Sequence, residues 1–140
     1  MRTLQWQTFL SPTPLRWFRV WLSIGVVIIA AVFYLSLTPP INVPQEHYDK
    51  LYHAATYAIL MVWFVQLFNG ARSYLILAVA FIAMGALIEI LQGFHPMRYF
   101  DVLDMLANAV GVVVIWLIAN TRVSATLAWL EARLLTDSTE

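Results

Sequence analysis

From Val20 to Leu37 the chain runs without a charged side chain. About 20 mostly apolar helical residues are needed to cross the hydrocarbon of a bilayer, so this run reads as a membrane span. Three more follow. Leu51 to Phe68 is ended by Asn69-Gly70, Tyr74 to Leu91 is interrupted by Glu89, and Val102 to Ile118 is interrupted by Asp104 and Asn108. The expected fold class is an all-α membrane protein, a four-transmembrane-helix bundle. Arg16, Trp17, Arg19 and Trp21 anchor the start of the first run. With Thr38-Pro39-Pro40 at its end, they favour a retained span over a cleaved leader.

With 61% hydrophobic and 11% charged residues, the chain lies far from ordinary soluble composition. It has no cysteine, which excludes disulfides, thiolate metal sites and cysteine nucleophiles. No basic run is long enough for nucleic-acid binding. Walker-type loops, dinucleotide glycine signatures and Ser-His-Asp arrangements are absent, and Ser36 and Ser73 are expected away from the polar residues.

Arginine placement sets the expected orientation. Arg2, Arg16 and Arg19 precede the first span, Arg72 lies between the second and third, and Arg122 follows the fourth. Lys50 and Arg98, on the other connections, sit beside acidic residues. Both termini are therefore expected in the cytoplasm. Residues 1–16 read as a cytoplasmic or interfacial segment in which Leu4, Trp6, Phe9 and Leu10 precede Pro12 and Pro14. Residues 17–120 form the membrane bundle. In the tail, 121–140, Val123, Leu127, Leu130 and Leu134 recur at helical spacing, as in an amphipathic interfacial helix lying on the inner surface.

The scarce polar residues of the middle fall at the borders of these spans. At about 100° per helical residue, Lys50, His53 and Tyr57 share one stripe of span two. Gly85, Glu89 and Gln92 share a stripe of span three; Asp101, Asp104, Asn108 and Gly111 share one of span four. Lipid penalises polar groups that face it, so the stripes are expected to converge at the outward end. Gly85 and Gly111 read as packing positions that let helices approach closely. His95, before Pro96, reads as an exposed loop residue, and Trp17, Trp21, Trp116 and Trp129 as interfacial anchors.

Three chemistries fit such a cluster. Glu89, Asp101 and Asp104 could hold a divalent cation, with His53 or His95 completing a softer site. Lys50 and Arg98 could hold a phosphate while Glu89 or His53 moves a proton. The cluster could also bind a lipid headgroup without reaction. The plain structural alternative is a clamp in which Lys50 and Arg98 pair with Asp49, Asp101 or Asp104.

The ordered string Lys50-x-x-His53, Tyr57, Glu89-x-x-Gln92, Arg98-x-x-Asp101-x-x-Asp104-x-x-x-Asn108-x-x-Gly111 resembles the VanZ-like family of small bacterial integral membrane proteins. The likeness runs from about Pro39 to Ile118. It implies a compact four-helix bundle with the motif residues on one side, placed in the bacterial inner membrane.

The leading expectation is an envelope protein that binds an anionic lipid or lipid-linked headgroup at the outer face. Lys50, His53 and Arg98 are its anion contacts; Tyr57, Glu89, Gln92, Asp101, Asp104 and Asn108 complete the candidate site. No catalytic residue is assigned. No cofactor is required, with a divalent cation at Glu89, Asp101 and Asp104 left open, and so is a homo-oligomer. A membrane enzyme acting on a lipid phosphate and a scaffold are the alternatives.

Overall fold

The computed structural model describes residues 10–38, 48–96 and 98–137. Side chains are described as far as residue 134. Helices dominate: α1 (Phe18–Leu37), α2 (Asp49–Leu67), α3 (Ala71–Gln92), α4 (Val102–Ile118) and α5 (Thr126–Asp137), with a short 3-10 turn at Arg122–Ala125. The four apolar stretches coincide with α1 to α4 within three residues at each end. A two-residue antiparallel pairing, β1 (Ser11–Pro12) with β2 (Phe68–Asn69), ties the N-terminal segment to the end of α2.

Side-chain chemistry explains several boundaries. Asp101 caps α4, its Oδ1 accepting the Leu103 N–H at 2.8 Å. Gly70 precedes α3 at a φ of 91°, where a side chain would be strained, so the turn between α2 and α3 can be short.

The core is built around α2. Leu60, Met61, Val65 and Leu67 are fully buried, with Val112 of α4 against them. α1 lies at the periphery and buries only Gly25. Much of the outer surface is apolar, including Val20 and Val27 of α1, Leu75 and Val79 of α3, and Leu106 and Val110 of α4. Apolar residues distributed around the outside are what a lipid-facing surface requires. By length and composition, α1 and α3 can each cross a membrane. α4, with 17 residues, meets the same test only together with the helix after its 84° bend.

Both ends depart from a purely interfacial reading. Leu4, Trp6 and Phe9 lie outside the described residues, but Thr13 and Leu15 are buried, and the Thr13 N–H donates to Leu67 O at 2.8 Å. On α5 the buried positions are Leu127 and Glu131, while Leu130 and Leu134 remain exposed. The tail thus meets the bundle through a mixed face. Glu131 accepts from the Arg16 and Trp17 backbone N–H groups and from Trp21 Nε1–H, at 2.9, 3.0 and 2.7 Å. The first two are N–H groups at the start of α1, which helix geometry leaves without an intrahelical acceptor. Trp21 is therefore part of a latch, not only an interfacial anchor. Nearby, Gln66 Oε1 accepts the Leu127 N–H at 2.9 Å.

Candidate functional site

The polar residues collect at the opposite end of the bundle, where α1 and α3 finish and α2 and α4 begin. Close backbone approach makes this convergence possible. A Cβ on Gly111 would run into the carbonyl group of Ala54 on α2, and one on Gly85 would press on Asn108 and Tyr57 at 3.1 and 3.2 Å. Both glycines act as packing residues.

One half of the cluster is a closed clamp. Lys50 Nζ donates to Asp101 Oδ2 at 2.5 Å and to Asp104 Oδ1 at 2.6 Å, joining α2 to the start of α4. The Asp101 backbone N–H donates to Glu89 Oε1 at 2.8 Å, which ties α3 to the same point. Glu89 is buried, and its Oε2 has no hydrogen-bond partner among the described residues. Gln92, also buried, donates through Nε2 to Ser36 O at 2.8 Å and so holds the end of α1.

This geometry corrects two expectations. The Lys50 ammonium lies between Asp101 and Asp104, and Glu89 is engaged by backbone, so these three carboxylates are not the ones placed to share a cation. Lys50 is likewise committed to carboxylates rather than presented to an anion. Its hydrogen bonds to Asp101 and Asp104 hold its ammonium well above the usual lysine range. The same Lys50 contact, followed by the Leu103 N–H, holds the Asp101 carboxyl below the usual carboxylate range.

The other half is open. His53 Nδ1 lies 3.1 Å from Asn108 Oδ1, while its Nε2 faces Asp49 Oδ1 at 3.8 Å and Asp104 Oδ2 at 3.7 Å. Among the described residues, Asp49, His53 and Asp104 each offer one ligand atom within 4.8 Å of the others, close enough to hold a metal ion between them. Asp49, in the first turn of α2 and expected only as a clamp partner of Lys50 or Arg98, stands beside His53 at this site.

Among the described residues, Arg98 hydrogen-bonds to backbone carbonyls rather than to a carboxylate. Its Nη2 donates to Thr38 O at 2.9 Å and reaches Leu35 O at 3.4 Å. These carbonyls lie at the C-terminal end of α1, where acceptors lack intrahelical donors and a cation is favoured by the helix dipole. Arg98 thus brings α1 to the cluster. Ser36, expected to lie away from it, comes with that helix. His95 is half-buried in the turn after α3 rather than freely exposed.

A cavity of about 200 Å³ opens between α1 and α2. Val32, Leu35 and Ser36 line one side; Asp49, Tyr52, His53, Thr56 and Tyr57 line the other, with Arg98 at the polar end. Tyr57 is 3% exposed, and its hydroxyl has no hydrogen-bond partner among the described residues. A second cavity, of about 350 Å³, is bounded by Asp49, His53, Gln92, Arg98, Asp101 and Asp104.

The family model described as VanZ/LLP1 matches residues 5–124, which include all four long helices and every residue of the cluster. The chain belongs to the VanZ/LLP1 family. As a VanZ/LLP1 member it carries the polar string as one spatial group rather than as separate helix-end charges. No curated protein and no solved structure matches the chain.

Proposed function

We propose that this VanZ/LLP1 protein is a four-span protein of the bacterial inner membrane that holds the headgroup of an anionic lipid or lipid-linked precursor at its outer face. The carrying observation is the cavity between α1 and α2. It passes from the apolar Val32 and Leu35 to Asp49, His53 and Arg98, as a site for an amphiphile's chain and head would. Arg98 is the anion contact, and the Tyr57 hydroxyl, without a hydrogen-bond partner among the described residues, supplies a further donor; His53, expected to join them, has Nδ1 against Asn108 and Nε2 facing two carboxylates. Lys50, Asp101, Asp104, Glu89 and Gln92 hold the walls, and Asn108 orients His53.

All four helices span in this reading. α2 and α4 carry their polar residues on faces turned to each other, so lipid meets mainly their apolar sides. Residues 1–16 and 121–140 flank the membrane bundle of 17–120 at the cytoplasmic side, where the arginines favour retention. A topology reporter inserted after Pro40 should read external, and one inserted after Gly70 internal.

The binding test is the lipid content of purified protein. Wild type should retain an anionic lipid class that Arg98→Ala and Tyr57→Phe lose while staying folded in the membrane. Equal lipid content in all three would remove the headgroup reading. It would leave the clamp, already visible at Lys50, Asp101 and Asp104, as the cluster's role.

A further inference from the structure

The geometry points to a divalent-cation site formed by Asp49, His53 and Asp104, of the class that takes mixed nitrogen and oxygen ligands, such as Mn²⁺ or Zn²⁺. This goes beyond headgroup binding and does not depend on it.

The first support is the orientation of His53. With Asn108 Oδ1 3.1 Å from Nδ1, the proton belongs on Nδ1, and the Nε2 lone pair points away from Asn108. A partner that fixes the imidazole tautomer in this way is the usual outer support of a metal-binding histidine. The second support is spacing. Nε2 stands 3.7 and 3.8 Å from two carboxylate oxygens, beyond hydrogen-bond range. Nitrogen and oxygen ligands at about 2.1 and 2.2 Å from one tetrahedral ion lie about 3.5 Å from each other. The two His53–carboxylate separations are within a few tenths of an ångström of that, and the three ligand atoms all lie within 4.8 Å of one another.

Charge gives a third argument. Among the described residues of the cluster, Asp49, Asp101 and Asp104 face Lys50 and Arg98, a formal negative excess, before the buried Glu89 is counted, that a divalent ion would offset. Lys50 contacts Asp104 through Oδ1, which leaves Oδ2 for the ion. Independently, the Tyr57 hydroxyl, buried without a partner among the described residues, lines the same cavity as two of the three ligand residues, Asp49 and His53. An imidazole ligand favours Mn²⁺ or Zn²⁺ over Ca²⁺ or Mg²⁺.

The test is titration of the purified full chain in nanodiscs, in buffer free of other metals, with Mn²⁺ read by electron paramagnetic resonance and Zn²⁺ by calorimetry. One ion per chain is expected. Asp49→Asn, His53→Gln and the positioning variant Asn108→Ala should each weaken binding at least about tenfold, and excess Ca²⁺ should not displace the ion. Asp49 is half-exposed at a helix start, so Asp49→Asn tests the site with least risk to folding, and its metal-free unfolding temperature provides the control. No saturable uptake by wild type, or equal affinity in a folded Asp49→Asn, would overturn the proposal. So would a His53 ring that carries protons on both nitrogens and keeps them when Zn²⁺ is added.

Discussion

Gly111 of α4 lies so close to Ala54 of α2 that a Cβ added there would come within 2.9 Å of the Ala54 carbonyl carbon and overlap its oxygen. The obstacle is backbone, which cannot rotate away as a side chain can. This contact sets the depth at which α4 meets α2, and hence whether Asp104 reaches Lys50 and Asn108 reaches His53.

Gly111→Ala should therefore destabilise the bundle by about 3 kcal/mol or more, at the upper end for overpacked sites. Gly85→Ala should cost less, since its neighbours at 3.1 and 3.2 Å are side-chain atoms of Asn108 and Tyr57. Thermal unfolding of the two variants in one detergent checks the order.

Asp104 and Asp101 share Lys50 but not the same surroundings. The Asp104 side chain is 10% exposed and the Asp101 side chain 38%. A double-mutant cycle should give the larger coupling for Lys50 with Asp104, about 1 kcal/mol or more, because solvent screens the exposed pair. Equal coupling would contradict the assignment of Asp104 as the clamp's inner partner.

The same pair predicts a pH profile. Asp101 is held below its ordinary value of 3.8, so the unfolded chain binds its proton more readily; its contribution is present above that value and lost as pH falls further. Lys50 is raised above 10.5, so its contribution is present below that value and lost as pH climbs through the folded value. The stability difference between wild type and Lys50→Met should thus be flat between about pH 5 and 9 and shrink in strong acid. Unfolding temperature measured across pH tests this.

At the far end, Glu131→Ala removes a buried acceptor from two N–H groups of α1's start and from Trp21. Loss of about 2–3 kcal/mol is expected, the scale of leaving such donors unsatisfied. Proteolysis should cut the tail faster, while metal and lipid binding at the other end stay unchanged.

Hydropathy and helical phase were enough to read α1 to α4, the three polar stripes and their convergence. Both signals are local: an uncharged run marks a helix able to face lipid, and a 100° advance fixes which residues share its face. Glu131 shows where such reasoning stops. At i+4 from Leu127 and i−3 from Leu134 it falls on the apolar side of the tail helix, where phase gives a carboxylate no partner; it is 5% exposed because the N–H groups it serves belong to a segment 110 or more residues away.

Sequence alone thus determined the class of the molecule, the faces of its helices and the set of residues that meet. Tertiary structure decided their partners: Lys50 to Asp101 and Asp104, Arg98 to the carbonyls of α1, and the Nε2 side of His53 to Asp49 and Asp104. Phase fixes direction around one helix axis. Pairing also depends on the depth and rotation of neighbouring helices, and those are set by close contacts such as Gly111 against Ala54.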